Sequence, residues 1–229
     1  MKDKRNNQYI IAVSLLVVLL ILFPTFQSYQ DTSSDRVVLI TGFKPFDIYD
    51  VNPSEQIALE LNNTQLNNVS IKGYVLSVDY QLAPQKMKQL IHQYDPELII
   101  SLGLAGKATS IRLEQVAVNL KVNPDLRFTL LSLKRVNKSG SFFQFSTFET
   151  NKMKERIAEK DISVEESSFA GLYLCNAILY ETLFYLLETE QEIPMGFIHV
   201  PQLDSQSEEG MSLETMITAV TTAITAQIE

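Results

Sequence analysis

Three stretches of this chain are apolar at nearly every position instead of every second one. They are RVVLITGF from Arg36, ELIISLGLAG from Glu97 and MGFIHVP from Met195. A strand with one face in water alternates polar with apolar residues, whereas a strand covered on both faces reads as a continuous apolar run. Segments with helical patterning separate the three runs. Parallel neighbours need a crossover of a dozen or more residues, which such helices supply. The chain is therefore constrained to an α/β fold: a three-layer α/β/α domain with a mostly parallel mixed sheet.

The remaining segments fill in this outline. NPSEQIALELN places Pro53 at a first helical position, with Ser54 and Glu55 in the first turn. VSIKGYVLSV reads as a second strand. DYQLAPQKMKQLIHQYDP reads as a helix with Leu82, Met87, Leu90 and Ile91 on one face, stopped at Asp95-Pro96. EQVAVNLKV holds a fourth strand, and Glu114, the first residue of this stretch, stands immediately before the strand. FETNKMKERIAEKDI reads as a polar, exposed helix and GLYLCNAILYETLFYLLE as a largely buried one. SLETMITAVTTAITAQI closes the chain, with Leu213, Met216, Val220 and Ile224 on one stripe. KVNPDLRFTLLSLKRVNKSGSFFQF fits neither period and is a candidate antiparallel excursion. Ligand sites in open α/β sheets lie beyond the carboxyl ends of the strands. The loops after Thr41, Gly103 and Val200 are thus expected to approach one another.

The N-terminus stands apart from this pattern. Residues 1–8 form a basic flank with Lys2, Lys4 and Arg5, residues 9–26 an apolar run, and residues 27–35 a polar linker to the domain at 36–229. The run sits near the lower limit of about 17 residues for a spanning helix. No small-x-small cleavage site follows it, which favours a transmembrane signal-anchor over a cleaved signal. Either reading leaves the basic flank in the cytoplasm and the domain outside, tied to the membrane in the anchored case.

Composition narrows the chemistry. Net charge is −8, which argues against nucleic acid as a partner, since phosphate binding needs a basic patch. One cysteine leaves no internal disulfide and no multi-cysteine metal site. Two histidines, His92 and His199, leave little room for a His-rich metal centre, and one of them is the natural acid–base group.

Three stretches carry candidate chemistry. In FAGLYLCN a glycine-bearing turn feeds a helix with Cys175 in its first turns, where the dipole and unpaired N–H groups favour a thiolate and could stabilise an oxyanion. In GFIHVP, His199 stands near the end of a buried strand. In SIRLEQVAVN, the Glu114 carboxylate could orient an imidazole. Taken singly, each residue has a plain alternative. A lone cysteine in an apolar helix is more often core packing, a strand-end histidine is often only satisfied structurally, and a glutamate is usually just solvated.

Together these stretches resemble the pyroglutamyl peptidase I family of cysteine peptidases. The likeness begins at VLITGFKPFDIYDVNPS, matching a G-F-x-P-F … N-P-S pattern, and continues in family order through PELIISLGLAG, IRLEQVAVN, AGLYLCN and GFIHVP. The resemblance implies Cys175 as nucleophile, His199 as its general base and Glu114 as the carboxylate that orients the histidine. It also implies Phe43 and Phe46 as walls of a pyrrolidone-ring pocket, with Asn52 organising their loop in the substrate-binding region. The implied substrate is a peptide with N-terminal pyroglutamate, with no metal or organic cofactor, and homo-oligomerisation is left open. The family is mostly cytosolic, unlike the anchored arrangement expected here. Departures include DIYD where the family usually has G-G after P-F, Lys107 and Ala108 where many members carry Gly-Arg, and Leu172 at a usually small position. The KVNPDLRF segment also stands in place of a Gly/Pro/Asp-rich one. These departures keep open a non-catalytic binding module and a hydrolase of another small amide.

Overall fold

The computed structural model describes residues 36–122 and 133–229. Eleven strands and five helices occur among these residues. In chain order they are β1 (Arg36–Phe43), α1 (Pro53–Leu61), β2 (Gln65–Leu66), β3 (Val69–Leu76), α2 (Leu82–Tyr94), β4 (Leu98–Leu104), β5 (Ile111–Glu114) and β6 (Val116–Val118). There follow β7 (Lys121–Val122), β8 (Leu133–Lys134), β9 (Phe143–Phe145), α3 (Thr150–Ala158), β10 (Val164–Ser167), α4 (Leu174–Glu188), β11 (Met195–Val200) and α5 (Leu213–Ile228).

Seven strands form one sheet in the order β10-β5-β11-β4-β1-β3-β2. The apolar strands β11, β4 and β1, together with β3, which carries Ser70 and Lys72, are its parallel centre. Side-chain alternation then divides the core in two. Val38, Ile40, Ile100, Leu102, Ile198 and Val200 face one way, toward Ile57 of α1, Met153 of α3 and Met216 and Val220 of α5. Leu39, Ile99 and Phe197 face the other way, toward Met87 and Leu90 of α2 and Ile178 and Leu179 of α4. The expected three layers result.

Within the helices, burial follows most of the expected stripes. Met216, Val220 and Ile224 are fully buried, as are Met87 and Leu90. Leu82 is the exception: it lies in the first turn of α2, 57% exposed. Helix α3 is shorter than the polar pattern suggested and not wholly exposed, since Thr150, Met153 and Ile157 are buried against the rest of the domain.

The fourth strand differs most from expectation. The sheet strand is IRLE, so Glu114 ends a strand instead of preceding one. At Gln115 the chain leaves the sheet, because its carbonyl takes Ser146 N at 2.9 Å and its amide donates to Thr150 Oγ1 and Glu166 Oε1. Beyond it, β6 pairs antiparallel with β9 and β7 with β8, so the described ends of the unassigned segment do form antiparallel pairs. Strand β10, VEES, had no apolar pattern to announce it. It sits at the sheet edge, where charged residues are tolerated and protective.

The basic flank, apolar run and linker read in residues 1–35 lie outside the described residues. Among the described residues, no helix is long and apolar enough to cross a membrane.

Candidate active site

The carboxyl ends of the central strands converge as expected. Ala105 N donates to Val200 O at 2.9 Å. Gln202 Nε2 donates to Gly106 O at 2.6 Å, and Gln206 Nε2 to Val51 O at 3.1 Å. Tyr49 lies directly over Gly106, where a side chain would leave it no room.

Strand β5 runs antiparallel to β11, with Phe197 opposite Glu114 and His199 opposite Arg112. Residues two apart in a strand share a face, so Glu114 is the diagonal same-face neighbour of His199. The result is a 2.8 Å contact between Glu114 Oε1 and His199 Nδ1, with Glu114 1% and His199 8% exposed. The second carboxylate oxygen, Oε2, is buried without a hydrogen-bond partner among the described residues. The carboxylate is thus directed at the imidazole.

Cys175 approaches the same face from α4. Tyr173 caps this helix without a side-chain hydrogen bond, placing Cys175 in the first turn, half-buried and unpaired in any disulfide. The first-turn N–H groups thus keep their capacity for an anion. Room for the sulfur comes from β4: a Cβ on Gly103 would lie 3.0 Å from Cys175 Sγ and 2.7 Å from the Phe197 ring. Burial pulls the His199 pKa down. The negative sulfur of Cys175, the hydrogen bond to it, and Glu114 outweigh that pull and raise the pKa from 6.5 to about 9. Since Nδ1 faces Glu114, Nε2 is left for Cys175. The arrangement can hold an imidazolium against a thiolate.

The two phenylalanines sit differently. Phe43 is 3% exposed, with its ring stacked 6.5 Å from Phe197, which lies 4.8 Å from the His199 ring. Phe46 is half-buried in the loop after β1 and packs edge-on against Tyr49 at 5.7 Å. Asn52 is wholly buried and caps α1. Its Oδ1 accepts from Ser54 N at 3.1 Å and Ser54 Oγ at 2.8 Å, and its Nδ2 donates to Lys44 O at 3.2 Å. Asn52 therefore binds the loop carrying Phe46 to the helix, and both ends of its amide are engaged in doing so. Of the two residues noted after β4, Lys107 is exposed and Ala108 buried.

Asn176 did not stand out in the sequence beyond its place beside Cys175. It is fully buried. Its Oδ1 accepts from Val118 N at 2.8 Å, and its Nδ2 donates to Val118 O and Leu120 O, each at 2.9 Å. One amide side chain thus ties β6 and the residue before β7 to α4. A polar residue inside an apolar helix was the available signal, since buried amides are retained where backbone needs them.

The family model for pyroglutamyl peptidase matches residues 36–229. The pyrrolidone-carboxylate peptidase of Halalkalibacterium halodurans is 30% identical over 197 residues, covering 85% of this chain and 98% of the relative. That of Oceanobacillus iheyensis is 33% identical over 167 residues, covering 72% of this chain and 84% of the relative. Among solved structures, the pyrrolidone carboxyl peptidase of Thermococcus litoralis superposes with a TM-score of 0.79 at 28% identity, covering 84% of this chain and 93% of that one. The chain belongs to the pyroglutamyl peptidase family and is a pyroglutamyl-peptidase-like peptidase.

Proposed function

We propose that Cys175, His199 and Glu114 act as a catalytic triad that removes N-terminal pyroglutamyl residues from peptides. The observation that carries this reading is the 2.8 Å contact from Glu114 to His199 Nδ1, on an imidazole whose pKa Cys175 also raises. The thiolate attacks the pyroglutamyl carbonyl carbon. The first-turn N–H groups of α4 receive the developing oxyanion. Protonated His199 then gives its Nε2 proton to the leaving amine, and an acyl-enzyme remains. His199, now neutral, takes a proton from water, whose oxygen attacks the thioester and releases pyroglutamate. Glu114 holds the imidazole in the required tautomer and orientation throughout. Phe43 and Phe46 supply apolar walls for an uncharged lactam ring, and Asn52 keeps their loop in place.

The test is hydrolysis of a fluorogenic pyroglutamyl amide by the full chain. Release of the fluorophore that disappears in Cys175→Ala supports the reading. Tight binding of pyroglutamyl peptides without turnover would replace it with a binding module, and turnover of other small amides alone would replace the substrate class.

The apolar run at 9–26 supports a further reading, in which the peptidase domain is tethered to the outer side of a membrane. Protease treatment of intact cells tests it. Cleavage of the domain is expected, and a fully protected domain or full-length protein in the soluble fraction refutes the tether.

A further inference from the structure

A side chain outside the proposed triad packs against the same apolar cluster as Cys175. Tyr80 lies in the loop between β3 and α2, at the carboxyl end of the sheet. Asp79 fixes this loop: its Oδ1 accepts from Gln81 N and Leu82 N, both at 2.7 Å. The Tyr80 ring and Cys175 both pack against the apolar cluster that contains Phe43, Leu174 and Phe197. The Tyr80 hydroxyl is buried and has no hydrogen-bond partner among the described residues. Leaving such a group unpaired is costly, and buried hydroxyls are rarely left so without a reason.

A cation faces the same ring. Lys121 Nζ lies 5.0 Å from the Tyr80 ring centroid. Its strand, β7, is held to the start of α4 by Asn176 Nδ2 on Leu120 O at 2.9 Å and by Val122 N on Leu172 O at 2.8 Å. An ammonium on a ring face draws on the π electrons and makes the phenolic O–H a better donor. Burial first, then the neighbouring Cys175 and Tyr173 groups, push the Tyr80 pKa up to about 12, so the hydroxyl keeps its proton.

We propose that Tyr80 is a further catalytic residue, whose hydroxyl donates a hydrogen bond to the carbonyl oxygen that becomes negative when Cys175 attacks, with Lys121 strengthening that donor. The proposal rests on the reading of Cys175 as the acylated nucleophile. A sulfur lone pair forms the S–C bond, and the carbonyl π pair moves to oxygen. The Tyr80 O–H points at that oxygen and keeps its proton. Collapse restores the C=O bond and breaks the bond to the leaving group, which takes its proton from His199 if it is an amine. The charge on oxygen exists only around the transition state, so the contact acts on rate more than on binding.

Two reactions at one sulfur separate this role from any other. Acylation of Cys175 by p-nitrophenyl acetate passes through an oxyanion and releases a burst of nitrophenolate. Alkylation by iodoacetamide forms no oxyanion. Cys175 is the single cysteine of the chain, so both signals report it alone. In the full chain, Tyr80→Phe should slow acylation by on the order of 10²-fold, the loss typical of one oxyanion donor, and leave alkylation unchanged. Lys121→Met should slow acylation less, again sparing alkylation. Equal slowing of both reactions, no slowing of either, or a parent protein that the ester does not acylate overturns the proposal. A parent that is acylated, shows the Tyr80 effect and yet never cleaves a pyroglutamyl amide leaves the donor standing and removes the substrate reading instead.

Discussion

Glu114 Oε1 reaches His199 Nδ1 at 2.8 Å because β5 runs against the direction of β11 in a sheet whose centre is parallel. Reversing β5 puts its last residue diagonally beside the penultimate residue of β11, on the face that also receives Cys175. Three residues far apart in sequence thereby meet over one patch of sheet, and their losses on mutation should not add. Cys175→Ala and His199→Ala are each expected to lower kcat on a pyroglutamyl amide by on the order of 10⁶, and the double variant by no more than the worse single one. Glu114→Gln should cost less, about 10⁴, since it disturbs tautomer and orientation without deleting a reacting group. His92→Ala is the control: His92 is exposed on α2 and its loss should leave kcat/KM unaltered. Steady-state kinetics on purified variants decide the pattern.

The His199 imidazole should titrate near 9. Histidine Hε1 shifts followed by NMR against pH measure this directly. Cys175→Ser removes the negative sulfur, leaving burial to dominate, so the pKa should fall; Glu114→Gln should lower it by less. The sign for stability follows from linkage. A pKa raised on folding contributes stability that is complete below the unfolded value of 6.5 and is lost as pH rises through about 9. Denaturation midpoints should thus drop between those pH values in the parent more than in Cys175→Ser. The alkaline limb of kcat/KM should bend near the same pKa, where the proton for the leaving amine is lost.

Phe43 and Phe46 should separate into core and wall. Phe43→Ala removes a nearly buried ring stacked on Phe197 and is expected to cost about 3–5 kcal/mol of stability, so its kinetic effect is mixed with unfolding. Phe46 is half-buried on a loop. Phe46→Ala should raise KM for pyroglutamyl substrates with a small change in kcat and in thermal midpoint. A kcat loss equal to the loss in kcat/KM would instead show that Phe46 acts only in the transition state.

Asn176→Ala should destabilise the domain by about 1–3 kcal/mol, because Val118 N, Val118 O and Leu120 O lose their partner inside the protein. In a domain of this size that is roughly 2–4 °C in Tm per kcal/mol. Asn176→Asp keeps the acceptor for Val118 N but loses the donors to both carbonyls, and should fall no less. Thermal scans of both variants, compared with Leu187→Ala on the exposed side of α4, check that the effect belongs to the amide.

The fold was legible in the chain because its central strands are covered on both faces, and a strand hidden from water on both sides can carry no polar alternation. RVVLITGF, LIISLGL and MGFIHV declare themselves this way, and the helices between them show their stripes. Cys175 and His199 were legible for a related reason: each stands at the boundary of an element whose end the sequence marks. The direction of β5 was not legible. IRLE is only four residues long, too short for its pattern to show a direction, so only pairing with β11 reveals that it ends at Glu114 with its carboxylate beside the histidine. The edge strand VEES was hidden because an edge need not be apolar. Asn176 and Tyr80 were hidden because their partners, the backbone of residues 118–120 and the charged tip of Lys121, lie tens of residues away along the chain. Local sequence determines which face of an element avoids water. Which polar group it meets there depends on long-range packing, and only the tertiary structure decided that.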